Sequence, residues 1–176
     1  INTGSQLSYS TPLGHQTSTS GVGKAQKGKA FHHKDTPQIM AATNNPYVFT
    51  GVEAFPQDLI MKAAKAQWYA QHEGLVYGKV LSTCPLNWRS EDQLGTKILQ
   101  TAVDSCFFPL YEIEHGVTNI TYNPEAKNKR ISPQEWLKLM GKTKHMLHDQ
   151  ELLDAFEEEV NRRWERLKLK HESPLL

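Results

Sequence analysis

A chain of 176 residues, with 38% hydrophobic and 22% charged residues, has the composition of one soluble globular domain rather than of a disordered segment. Its 20 Lys and Arg against 19 Asp and Glu leave a net charge of +1, which argues against a nucleic-acid or membrane-surface partner, since either needs a basic stripe. No apolar run is long enough to cross a bilayer, no charged-then-apolar leader is visible, and 2 cysteines make no disulfide framework, so a reducing, cytoplasmic setting is expected.

Residues 1–34 lack hydrophobic periodicity and are rich in Ser, Thr, Gly and Lys, a length of irregular chain that usually carries function or is disordered. Order is expected from Asp35, an N-cap with Pro37 in the first turn, until Asn44-Asn45-Pro46 stops the helix. "YVFTG" reads as a short buried strand, a longer helix starts at Pro56 and ends at Gly74, and "LVYGKVLS" reads as a second strand. Ser90-Glu91-Asp92-Gln93 has the form of a capping box opening a third helix, with Ile98, Leu99, Ala102, Val103 and Cys106 along one face. This alternation predicts an α/β fold with a parallel sheet covered by helices. After Pro109 the pattern changes. "LYEIE", His115-Gly116 and "VTNITY" predict a β-hairpin or sheet extension, followed by the charged linker "NPEAKNKR" and a capping box at Ser132-Pro133-Gln134-Glu135. The last segment carries Leu152, Leu153, Phe156, Val160, Trp164 and Leu167 on one stripe, an apolar face that needs a partner in its own domain or another subunit. There is no internal repeat, and two parallel strands are few for a doubly wound domain.

Three pieces in order carry a resemblance: "NTGSQLSYSTP" at Asn2–Pro12, "LSTCPLNWR" at Leu81–Arg89, and "PLYEIEHGVTNITY" at Pro109–Tyr122, with a helical tail containing "EVNRRWERL". Together they resemble the thiamine-diphosphate-binding β subunit of pyruvate:ferredoxin oxidoreductase and its 2-oxoacid relatives, over nearly the whole chain. The resemblance implies a parallel-sheet, thiamine-diphosphate-binding domain of which residues 1–108 are the C-terminal half, and an extension of hairpin, linker and helices over 109–176. The family's Gly-Asp-Gly motif, whose Asp holds the magnesium ion on the diphosphate, is not in the sequence. The chain opens where Asn-Thr-Gly begins, so it is expected to be a C-terminal piece of a larger subunit.

By resemblance Asn2 is a catalytic, cofactor-facing residue. An amide there donates to the substrate's developing oxyanion without adding charge, and the small Thr3 and Gly4 let the backbone approach the cofactor. From the tripeptide alone a turn would be the better reading. Cys84 falls at the carboxyl end of a predicted strand, where open α/β sheets place ligands, and Pro85 pushes it toward an extended conformation. The resemblance makes it the last thiolate of a 4Fe-4S cluster, which needs four cysteines; a buried structural cysteine is the alternative without that context. Cys106 matches no ligand position and is expected in the core.

Weaker candidates have plainer readings. The pairs His32-His33 and His145 with His148 lack a third ligand and suit solvent-facing or capping roles. Lys24, Lys27 and Lys29 could meet coenzyme A phosphates but read as a solvated loop; Trp68, Trp88, Trp136 and Trp164 read as packing residues, and Glu157-Glu158-Glu159 as an exposed helix face. The activity the resemblance implies is oxidative decarboxylation of a 2-oxoacid, with pyruvate favoured, to an acyl-coenzyme A. It requires thiamine diphosphate, magnesium and 4Fe-4S clusters, with other subunits and ferredoxin as partners. Branched-chain, oxalate and phenylglyoxylate enzymes share this design. A non-catalytic α/β interaction domain is the alternative of another class.

Overall fold

The computed structural model describes residues 11–17 and 19–173. Its centre is a four-stranded sheet in the order β2-β1-β3-β4, formed by β1 (Tyr47–Val52), β2 (Val76–Leu81), β3 (Leu110–Glu114) and β4 (Val117–Tyr122). A right-sized crossover, helix α2 (Pro56–His72), joins β1 to β2 in parallel register from Tyr47↔Val76 to Val52↔Leu81. The predicted α/β class therefore holds, with one parallel pair. The hairpin extends the same sheet, β3 lying antiparallel to β1 and β4 antiparallel to β3. His115 and Gly116 both take positive φ, 47° and 84°, the conformation a two-residue hairpin turn demands.

Every residue of β1 is buried, because both faces of the sheet are covered. Alternation sorts its side chains. Val48 and Val52 enter the main core, while Tyr47 and Phe49 turn to the other side, where Tyr69 of α2 stacks on Tyr47 at 5.1 Å. The main core is closed by α1 (Thr36–Ala41), α4 (Gly95–Asp104), α5 (Pro133–Lys138) and α6 (Gln150–Glu172). The stripe of α6 finds its partner there: Leu153, Phe156, Val160, Trp164 and Leu167 are all buried in this core. Ser132 and Asp149 cap α5 and α6, accepting from the Gln134 and Leu152 amides.

Two predicted caps do not form. Asp35 stands at the N-cap position of α1, but its carboxylate pairs with Arg163 of α6 at 2.8 Å rather than with a helix amide. The Ser90 hydroxyl is buried and unpartnered among the described residues, and Glu91 accepts instead from the Gln93 amide at 2.7 Å. The chain then makes a 3-10 turn over Asp92–Leu94 before α4 starts at Gly95, later than the sequence pattern suggests. No helix among the described residues is long and apolar enough to cross a membrane.

Among the described residues the segment before α1 carries no helix, yet it is tied down. The Gly14 amide donates to the Lys29 carbonyl at 2.8 Å and the Lys29 amide to the His15 carbonyl at 3.0 Å. Gly28, at φ 87°, permits this approach, since a Cβ there would stand 2.2 Å from the Gly14 carbonyl oxygen.

Candidate functional site

Beyond β2 the chain runs extended to Cys84, at φ −139° and ψ 87°, and Pro85 opens the one-turn helix α3 (Pro85–Trp88). Proline has no amide to donate and its φ suits the first turn, so the reversal begins there. The turn closes on itself. The Trp88 amide donates to the Cys84 carbonyl at 2.8 Å and the Ser90 amide to the Pro85 carbonyl at 3.1 Å. Arg89 ends it in the left-handed region, at φ 51°. Trp88 is buried edge-on against Trp136, their centroids 6.3 Å apart, and anchors the loop from below. Cys84 stays half-buried and Leu86 is 91% exposed, so the loop presents a thiol and an apolar side chain at its surface.

Two other segments converge on this loop. Lys142 is buried and donates to the Asn87 Oδ1 at 3.3 Å. Burial lowers its pKa to about 8, with the Cys84 thiolate acting to raise it and Arg89 to lower it further. The Arg89 carbonyl accepts the Gly141 amide at 3.1 Å, an approach that a Cβ on Gly141 would obstruct at 2.8 Å. The Arg89 guanidinium donates to the Gln16 Oε1 at 3.3 Å, and the His145 Nε2 donates to the Gly14 carbonyl at 2.7 Å. Residues 11–17, the Cys84 loop and the 3-10 stretch Gly141–His148 therefore form one neighbourhood. Beneath it His15 stacks on Trp136 at 5.8 Å, fully enclosed, and burial holds its pKa down to about 3. The Asn87 Nδ2 is buried with no partner among the described residues, a donor left open in the floor of this region.

Asn2, Thr3 and Gly4 lie outside the described residues. Cys84 is at the predicted strand end, with a thiol that is neither enclosed nor bonded to another cysteine. Cys106 is in the core as expected; burial pushes its thiol up to about 12, which keeps it protonated and a poor ligand. A four-iron cluster asks for four thiolates, and the chain has 2 cysteines. Among the described residues no group of three or more His, Cys, Asp or Glu could hold a metal. Cys84 fits the part of one ligand, and the described residues do not hold a cluster by themselves.

Other expectations are corrected. Lys29 is not solvated: it is 2% exposed and its ammonium donates to the Thr11 carbonyl. Trp68 is half exposed, stacked on His72 at 4.8 Å, while the other three tryptophans pack in the core. His33 faces neither solvent nor a cap but lies against Phe107 and Arg163. Lys142, Asn87 and Gln16 were not legible as site residues. "GKTKH" reads as a polar connector, and no local pattern signals that one of its lysines is buried.

No family model matches the chain. It is 37% identical over 171 residues to pyruvate synthase subunit PorB of Thermotoga maritima, covering 95% of this chain and 51% of that protein. It is 36% identical over 169 residues to ketoisovalerate oxidoreductase subunit VorB of Pyrococcus horikoshii, covering 96% of this chain and 52% of that one. With pyruvate synthase subunit PorB of Methanocaldococcus jannaschii it shares 38% identity over 146 residues, or 83% of this chain and 47% of that protein. The chain thus spans about half the length of the curated relatives it matches. Similarity of this extent, to relatives that agree in kind, means that the chain belongs to the family of 2-oxoacid:ferredoxin oxidoreductase β subunits.

Proposed function

We propose that this chain forms part of a cytoplasmic, thiamine-diphosphate- and magnesium-dependent 2-oxoacid:ferredoxin oxidoreductase. In this reading it contributes one wall of the cofactor site and one thiolate to a 4Fe-4S cluster. Residues 1–108 are then the C-terminal half of the cofactor-binding domain and 109–176 its extension. The substrate class is a 2-oxoacid, with pyruvate first and a branched-chain 2-oxoacid next, as the relatives' names suggest. Coenzyme A, ferredoxin and the enzyme's other subunits complete the reaction partners.

The observation that carries the reading is the convergence of the N-terminal segment on the Cys84 loop, through Arg89 to Gln16, and on the stretch Gly141–His148 packed against that loop, through His145 to Gly14. It draws the chain that follows Asn2-Thr3-Gly4 toward the half-exposed thiol at the carboxyl end of β2. A cofactor loop and a first electron acceptor belong in such proximity, and strand carboxyl ends are where α/β sheets bind ligands.

Thiamine diphosphate, when bound, supplies the thiazolium that stabilises negative charge on the substrate carbon. The residues of this chain bind and orient. The Asn2 amide donates to the substrate oxygen as it gains charge, and its neutrality leaves the field of the thiazolium intact. Thr3 and Gly4 admit the cofactor close to the backbone. Pro85 and the closed turn behind it hold Cys84 outward, and Trp88 against Trp136 keeps that turn from shifting. The buried Lys142 braces the loop behind Cys84 by donating to the Asn87 Oδ1.

The test uses the complete enzyme. Asn2→Ala is expected to lower turnover by the equivalent of roughly 2.7–4 kcal/mol while cofactor affinity changes little. Cys84→Ser is expected to lose iron and the paramagnetic signal of the cluster nearest the thiamine, with the fold intact. Full iron content and undiminished ferredoxin reduction in Cys84→Ser would remove Cys84 from the ligand set.

A further inference from the structure

A cavity of 540 Å³ lies between the sheet and α6, and none of its lining residues belongs to the Cys84 loop or to the segments that meet it. That volume falls within the range of small-molecule sites. Phe107, Phe108 and Leu167 give it apolar walls. Its charged rim carries Lys79, Arg163, Arg166 and Lys170 against Asp35 and Glu159.

Lys79, on β2, sets this cavity apart. It is 8% exposed, and its ammonium makes no hydrogen bond and no ion pair with any described residue; it lies 6.0 Å from the Phe108 ring centroid, and Asp35 attracts it only through space. The neighbouring acids are already engaged. Asp35 pairs with Arg163 at 2.8 Å, and Glu159 accepts from the Arg162 Nε at 3.0 Å. Lys170 donates to the Gln38 Oε1 at 2.6 Å. A largely buried lysine whose ammonium opens on a cavity without a partner is costly, and buried charges in folded proteins are ordinarily paired. Consistent with that cost, burial and then Arg163 lower its pKa to about 8. Lys62, also buried and on the opposite side of the sheet, shows the contrast: its ammonium donates to Asp58, the Thr50 carbonyl and Thr121, all within 2.9 Å.

We propose that this cavity binds a small organic anion whose carboxylate or phosphate pairs with Lys79 and whose apolar body lies against Phe107, Phe108 and Leu167. Arg166 and Lys170 on α6 add attraction at the rim, and Thr50 and Tyr111 bring hydroxyl groups to the inner wall. The shared requirement is an oxyanion on an apolar body. Two oxyanion probes tell the carboxylate from the phosphate form, and an uncharged analogue tells either from simple apolar filling.

The experiment is calorimetric titration of this chain with benzoate, phenyl phosphate and benzamide, followed by thermal melts of wild type and Lys79→Met. At least one of the two anions is expected to bind with a Kd below roughly 1 mM. The tighter one names the charged group, and benzamide binds at least tenfold more weakly. Lys79→Met keeps the length and apolar stem of the side chain. It is expected to lose at least tenfold in anion affinity while its melting temperature stays level or rises, because an unpaired buried charge has been removed. A merely structural lysine would behave the other way, with a lower melting temperature in Lys79→Met and unchanged anion binding. Either that result, or benzamide binding as well as benzoate, or no binding of either anion, overturns the proposal. So does binding to this chain that is lost in the complete subunit.

Discussion

Cys84 and Cys106 sit in different environments. The first is half-buried beside a buried lysine, the second enclosed with its thiol pushed up to about 12. Alkylation follows the exposed thiolate. Native protein treated with iodoacetamide at neutral pH is expected to take up one equivalent, at Cys84, with Cys106 labelled only after denaturation; mass spectrometry of the peptides reads this directly. Two equivalents in the native state would contradict the burial of Cys106. His15 is a second residue with a measurable consequence. Its folded pKa is depressed to about 3 by burial first, with Lys142, His145 and Lys29 adding to the effect against the Leu13 carbonyl. The imidazole is therefore neutral in the fold and protonates in the unfolded chain below about 6.5. Its contribution to stability is complete above that pH and is lost as pH falls, by about 1.4 kcal/mol per unit. His33, lowered well below its ordinary value by burial and Arg163, acts in the same direction. His15→Phe keeps a ring on Trp136. It is expected to flatten the fall in urea-derived stability between pH 6.5 and 5 by about half; an unchanged slope would show that His15 does not stay neutral. The burial of Cys106 was readable beforehand, and that of His15 was not. The sequence around His15 is glycine-rich and polar, and its burial depends on Trp136 and Phe156, more than a hundred residues away.

At the scale of elements, α2 is the most instructive. Its three charged side chains before His72, Asp58, Lys62 and Lys65, turn toward the sheet. Lys65 reaches Glu112 at 2.8 Å and also meets Glu114, and Glu112 accepts from the Tyr47 hydroxyl at 2.7 Å. Burial would raise the pKa of Glu112, but Lys65, Tyr47 and Asn119 more than offset it and hold the carboxyl below its ordinary value. The outer face carries Ile60, Met61 and Trp68, all at least half exposed. Helix limits were legible here because Pro56 and Gly74 punctuate the chain. Orientation was not, because reading a helix by hydrophobic period assumes that apolar residues point inward. Here a carboxylate-bearing strand, "LYEIE", supplies the partner for lysines, and only sheet order reveals that β3 lies under α2. Removing one member of such a buried set leaves the others unpaired. Lys62→Met is expected to cost roughly 3–5 kcal/mol in equilibrium unfolding. Adding Asp58→Leu should recover a large part of it, since the pair is then replaced rather than broken. Equal losses in the single and double variants would show that the ion pair is not the reason.

For the whole molecule, α6 is the closing element. Its apolar stripe fills the main core, and its polar flank reaches out through Arg163 to Asp35, Lys168 to Glu125 and Lys170 to Gln38. The stripe was plain in the sequence, and whether it served this domain or another subunit was not, since periodicity shows that a face must be covered but not by what. Trp164 is 1% exposed at the middle of that face. Trp164→Ala is expected to destabilise the chain by about 3–5 kcal/mol, which lowers the melting temperature of a domain of this size by roughly 10 °C. A shift of only a degree or two would mean that α6 is not essential to the core.

β1 has a further consequence. It is the one strand among those described that is hydrogen-bonded on both sides to differently directed neighbours, parallel to β2 and antiparallel to β3, and covered on both faces. Its amides can meet deuterated water only when β2 or β3 leaves, and neither can leave without baring a core face. The strand should therefore keep its protons the longest, exchanging at the rate of global unfolding, while β4 loses them through partial opening. The sheet thus holds a graded clock: the parallel unit that begins with "YVFTG" is its slowest hand, and the hairpin that extends it is the faster one.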